Sequence, residues 1–199
     1  MKAELGGAFV LSWIVFGGGM NLGGLTGAVA LAVTWMAFSG AHLLPVVTWS
    51  HIMTGDLSDT EGNWMANGMR LVAQVVGGTL GVVMVSQGME AGTDWVAAEE
   101  MWITNVADNV WQILGMVAAG AVWWQVHTRC DSAWASAFGM MMLGGAMVAV
   151  GAADDMGNSL AGALDGIAET AVNWICMGLV VGIGARVGCE IDGLIGEEE

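Results

Sequence analysis

Few residues in this chain can do chemistry, and most of them lie where hydrocarbon is expected. His42 and Pro45 stand together in "SGAHLLPVVTW", residues Ser39 to Trp49, inside a stretch from Leu5 to Gly55 that holds no Asp, Glu, Lys or Arg. Glu4 opens that stretch, Gln74 and Gln112 interrupt later apolar runs, and Asp154 and Asp155 stand side by side ahead of Asp165 and Glu169. Ionisable groups in apolar surroundings need internal partners, and in membrane proteins they mark ion or solute paths. They make no nucleophile–base pair, metal-ligand spacing or phosphate loop here, and three His with one Lys leave little for acid–base catalysis. An enzyme is therefore not expected, and no cofactor is implied. Cys130, Cys176 and Cys189 are odd in number and suggest neither a disulfide framework nor a metal site.

The elements that position these residues must be membrane helices. Only 12% of the 199 residues are charged, 56% are apolar, and the mean hydropathy is +0.66. Beyond the first run, uncharged stretches cover Leu71 to Met89, Asn109 to Thr128, Ser132 to Ala153 and Thr170 to Ala185. A spanning helix takes about 20 mostly apolar residues. The first run is long enough for two spans and the other four supply one each, six in all. With six spans, Lys2, Arg70, Arg129 and Arg186 fall on one side, and the intervening segment from Met89 to Asp108 carries acids and no base. The positive-inside rule then places both termini in the cytoplasm of a cell-membrane protein. Trp64, Trp95, Trp102, Trp111, Trp123, Trp124, Trp134 and Trp174 fall near expected span ends, where indole rings favour the interface. Residues 2–19 read as the first span rather than a signal peptide, because Glu4 interrupts the basic region and no A-x-A site follows. A net charge of −15 excludes nucleic acid as a partner held by bulk charge.

No linker divides the chain, so residues 1–199 form one domain, yet a doubled one: a first repeat of about 1–88, a second of about 106–190, and an acidic tail over 190–199. Gly40-Ala41 matches Gly151-Ala152 at an offset of 111 residues. Three spans per half is an odd number, so the halves lie in opposite orientations and bring their irregular segments together near the membrane midplane. Gly40 to Leu44 can then dip into the membrane, with Pro45 opening a short helix where its missing N–H costs nothing. Asp154 or Asp155 is a suitable N-cap for a matching short helix through Leu164. Two half-helices meeting end to end leave exposed backbone that needs water, which implies a pore.

These segments resemble the signatures of the aquaporin family, the major intrinsic proteins. "SGAHLLPVVT" is similar to that family's SGAHxNPAVT with Leu44 for Asn and Val46 for Ala, "AELGGAF" to AExxGTF, and "AQVVGG" to AQxxGA. "DMGNSLAGA", Asp155 to Ala163, stands where the family has NPARSxGPA, and Gln112 where it has a second glutamate. The resemblance implies an all-α membrane protein of six transmembrane helices plus two re-entrant half-helices in an inverted 3+3 repeat, assembled as a homotetramer. It implies a pore signature of Leu44, Pro45, Val46, Asp155, Met156 and Gly157, and a selectivity filter of Gly24, Leu143, Ala152 and Asn158. Glu4, His42, Gln74 and Gln112 take loop-bracing places; the alternatives are a solvated interfacial group for Glu4, a pore-facing ring for His42 and a helix bridge for Gln74.

The departures bear on selectivity. Leu44 cannot donate a hydrogen bond, an ionised Asp155 only accepts, and Asn158 is uncharged where the family has arginine, so the filter is expected to be wider and more apolar. The expected function is passive movement of water or a small neutral solute such as glycerol or urea. A proton- or cation-coupled carrier using Asp155 and Glu4, and a non-conducting scaffold, are the alternatives.

Overall fold

The computed structural model describes residues 1–17, 24–88, 106–107, 109–142 and 167–196. Among these residues the chain forms seven α-helices and no strand: α1 (Lys2–Gly17), α2 (Leu25–Ala37), α3 (Pro45–Thr54), α4 (Ala66–Gly88), α5 (Val110–Arg129), α6 (Ala133–Met142) and α7 (Ile167–Gly196). A π-helical turn over Thr60–Met65 leads into α4, opened by Asp59, whose side chain accepts from the Gly62 N–H at 2.8 Å. Two segments, Thr60–Val85 and Trp174–Leu194, are long and apolar enough to cross a membrane.

Helix pairing rests on glycine. α1 packs on α4, α5 on α7, α3 on α7 and α2 on α6. Gly77 and Gly81 of α4 face the backbone of α1, where a Cβ on Gly81 would come within 2.8 Å of the Phe9 carbonyl and one on Gly77 would overlap that of Leu5. The arrangement recurs in α7, whose Gly184 and Gly188 sit against the Val117 and Ala121 carbonyls of α5. Small residues that let backbones meet are the usual device where lipid removes the hydrophobic drive for helix association. Gly178 and Gly182 of the same helix admit Trp49 of α3.

Within each pair the contacts ascend in step, so α1 runs parallel to α4 and α5 to α7. The pairs oppose each other. The starts of α1 and α4 meet at Glu4 and Arg70, and this end holds His42 and His51, which reach His127 at the end of α5. Arg129, two residues on, pairs with Asp192 near the end of α7. Lys2, Arg70 and Arg129 thus lie at one end of the bundle, with Arg186 farther along α7, level with the middle of α5.

The structure departs from the sequence reading at two tryptophans. Trp123 and Trp124 are buried core rather than interfacial rings, because the Trp123 indole N–H finds an internal partner in the Ser136 carbonyl at 3.1 Å. Trp64, Trp111 and Trp134 are exposed, while Trp95 and Trp102 lie outside the described residues. The acidic tail begins as helix: α7 continues through Gly196, supported by the Arg186–Glu190 pair at 2.7 Å and by Asp192 on Arg129.

Gly77→Leu is expected to force α1 and α4 apart and to lower the thermal unfolding midpoint in detergent, by overpacking of about 1–3 kcal/mol. Gly68→Ala, with open space around its Cβ, serves as the control and should leave the midpoint in place. Equal midpoints for both variants would show that α1 and α4 do not touch through these glycines.

Candidate functional site

The site is built on a buried carboxylate. Glu4, in the first turn of α1, is 1% exposed and receives four hydrogen bonds. Its Oε1 accepts from the His42 backbone N–H and from Arg70 Nη1, both at 2.7 Å; its Oε2 accepts from the Leu43 N–H at 3.0 Å and Gln74 Nε2 at 2.9 Å. Consecutive backbone N–H groups on one anion form a nest, and this one requires an unusual backbone. Leu43 takes φ +64°, a left-handed conformation that costs an L-residue about 1–2 kcal/mol, and the Leu44 N–H closes back on the His42 carbonyl at 2.8 Å. Gly40, at φ +80°, makes the preceding bend, and Arg70 reaches its carbonyl at 3.2 Å. Gly7, one turn along α1 from Glu4, leaves the space that the buried Leu43 side chain fills. The "ELGGAF" segment thus supplies both the anion and the hollow.

Beyond this loop the chain enters α3. Pro45 occupies its first turn, where no intrahelical acceptor exists for an N–H, and Leu44 before it is held in the extended region. Ten residues rise only about 15 Å, half of a hydrocarbon core of about 30 Å. Even so, Pro45, Val46, Val47, Thr48, Trp49, Ser50 and Ile52 are all buried. Ser50 and Thr54 return their hydroxyls to the carbonyls of Val46 and Ser50 at 2.9 and 2.8 Å. Thr48 links the helix to the carboxylate: its Oγ1 accepts from Gln74 Nε2 at 2.9 Å and lies 3.1 Å from His42 Nδ1. Trp35 of α2 closes the other side, its indole N–H donating to the His42 carbonyl at 3.1 Å.

All three histidines of the chain meet beside this loop. His42 and His51 stack face to face with ring centroids 4.0 Å apart and planes 4° from parallel. His51 presents to Trp124 edge-on at 4.9 Å and to His127 at 6.2 Å. His127 stacks on Trp123 at 4.8 Å, and its Nδ1 lies 2.8 Å from Ser136 Oγ of α6. Each imidazole is only partly buried, with Trp35 of α2, Trp123 and Trp124 of α5 and Ser136 of α6 against the group. Two unit charges 4 Å apart repel by about 4 kcal/mol at an effective dielectric of about 20, so the stack accommodates one proton far more readily than two. Among the described residues no group of three or more His, Cys, Asp or Glu is placed to hold a metal ion. Ring lone pairs lie in the ring planes, and stacked rings do not converge on one point.

The structure therefore brings Glu4, His42 and Gln74 into one hydrogen-bonded unit with the Leu44–Pro45–Val46 turn. Leu44 and Val46 are fully buried, so a bulky replacement at Val46 would overpack the core. Gly24 sits ahead of α2, its carbonyl accepting from the Ala28 N–H at 3.0 Å. Leu143, Ala152, Asp155, Met156, Gly157 and Asn158 lie outside the described residues, as does the side chain of Gln112 in α5. Sequence reasoning missed Arg70, Thr48, His51 and His127. Arg70 and Gln74 carried a usable signal, one turn apart on a single helix face, and Thr48 and His51 share a face of α3 in the same way.

No protein-family model, no curated protein and no solved structure matches this chain.

Glu4→Ala leaves the His42 and Leu43 N–H groups and the Gln74 amide without their acceptor, at about 1–3 kcal/mol for each. It is expected to lower the unfolding midpoint far more than Arg70→Met, because the Arg70 side chain is 33% exposed and water can replace its partner. Thermal unfolding of the two variants side by side checks this; equal losses would mean that the ion pair, not the nest, is what Glu4 supplies.

Proposed function

We propose that this chain is a passive membrane channel of aquaporin type for water or small neutral solutes. Six spans and two re-entrant half-helices are arranged as an inverted 3+3 repeat, with the termini cytoplasmic at the cell membrane and four chains assembled as a homotetramer. The observation that carries the reading is α3, a ten-residue helix too short to span yet buried along most of its length, entered through an irregular loop gripped by Glu4. Irregular backbone at membrane depth is tolerated only where protein or a water-filled cavity surrounds it. The opposed α1–α4 and α5–α7 pairs, each crossing through glycine, add support for a doubled and inverted bundle. The end that carries Lys2, Arg70 and Arg129 is its cytoplasmic mouth.

Selectivity in this reading is set mainly by shape. Leu44 offers no donor at the signature position, which leaves the α3 dipole and backbone to orient a passing solute. The coupled-carrier reading uses Asp155, which lies outside the described residues, and Glu4, whose oxygens are already engaged by two backbone N–H groups, Arg70 and Gln74.

Stopped-flow light scattering on proteoliposomes tests the proposal. Shrinkage under an impermeant osmolyte is expected to outpace that of empty liposomes, and re-swelling under glycerol or urea to vary linearly with the gradient. Rates equal to the control with verified, folded protein would leave the scaffold, and voltage- or pH-driven accumulation would establish the carrier.

A further inference from the structure

The polar chain from Glu4 to His42 fixes where each hydrogen sits. The Glu4 oxygens take two donors each, which leaves no place for a carboxyl hydrogen and turns the nitrogen of the Gln74 amide toward Oε2. The same nitrogen donates to Thr48 Oγ1 at 2.9 Å, so the hydroxyl is an acceptor on that side. Its own hydrogen then has two destinations. The Leu44 carbonyl lies 3.5 Å away and already accepts the Val47 and Thr48 N–H groups at 3.1 and 3.3 Å, whereas His42 Nδ1 lies at 3.1 Å. The hydroxyl therefore donates to Nδ1. A neutral imidazole that accepts at Nδ1 carries its hydrogen on Nε2.

Resting on the channel reading above, we propose that Thr48, oriented by Gln74 and Glu4, is a positioning residue that locks His42 in the Nε2–H form, and that this uncharged N–H is the donor offered to the oxygen of a passing water or small neutral solute. The residue is held on four sides: Thr48 on Nδ1, Glu4 on its backbone N–H, Trp35 on its carbonyl, and His51 stacked at 4.0 Å. The two rings are 4° from parallel, so the Nε2–H bond, which lies in the ring plane, runs beside His51 instead of into it. Among the described residues no group takes this hydrogen, and Nε2 is not sealed in the core as the indole nitrogens of Trp49 and Trp174 are. His42 stands two residues before Leu44, whose side chain offers no donor. An uncharged N–H selects a lone pair on a water, hydroxyl or amide oxygen and gives a cation nothing to bind.

Two measurements test the two parts. With 15N-labelled histidine at about pH 8, above the range in which imidazole takes its proton, His42 is expected to show a lone-pair resonance at Nδ1 and an N–H resonance at Nε2. Thr48→Val removes the hydroxyl and should move both nitrogens toward an average of the two tautomers, while Thr48→Ser restores the wild-type pair. An N–H at Nδ1 in the wild type, or a spectrum that Thr48→Val leaves unchanged, overturns the assignment. In proteoliposomes of variants verified as folded, re-swelling under glycerol or urea is expected to fall several-fold in Thr48→Val and to recover in Thr48→Ser; His42→Phe, which keeps a ring without a donor, should lose the same flux. A wild-type flux above that of empty liposomes that neither Thr48→Val nor His42→Phe lowers overturns the donor role and leaves the channel standing. A wild-type flux equal to that of empty liposomes overturns the channel and the donor role together, and the tautomer is then decided by the wild-type spectrum alone.

Discussion

The arrangement depends on one carboxylate in the first turn of α1. Glu4 is the acceptor that joins the loop before α3, the start of α4 and, through Gln74 and Thr48, the body of α3 itself. A buried anion is costly unless each oxygen is satisfied, and here each oxygen has two donors. The same bonds offset the strain of the left-handed Leu43, so the loop's shape and the anion's burial sustain one another. Three elements remote in sequence are thereby fixed at one point before any side chain of the surrounding core is counted.

Around that point the polar residues form a short relay rather than isolated pairs. The carboxylate orders Gln74, the amide orders the Thr48 hydroxyl, and the hydroxyl meets the ring of His42. Each member limits the orientation of the next, because a carboxylate only accepts and an amide nitrogen only donates. The ring of His42, stacked on His51, is thereby tied to the carboxylate through two neutral side chains.

Much of this was legible in the sequence, and for identifiable reasons. The uncharged runs predict helices where α4, α5 and α7 stand, because a lack of charge over many residues is a local property. Pro45 after an irregular Gly40–Leu44 stretch predicts a helix start, since proline marks a first turn by its own chemistry. The histidine cluster was not legible: His42, His51 and His127 carry no spacing that announces contact, and only the opposed running of the helix pairs brings them together. Trp123 and Trp124 misled for a related reason. A tryptophan near a helix end suits a lipid interface, and only tertiary structure shows that Ser136 supplies the indole with an internal partner.

Where α1 crosses α4 and α5 crosses α7, main chain touches main chain, carbonyl oxygen against glycine Cα. Contacts of that kind place no demand on the neighbouring side chains, which are free to drift over evolutionary time while the crossings stay put. A scaffold joined in this way leaves few fixed letters behind. Kinship between such proteins is therefore carried by the spacing of small residues more than by shared composition.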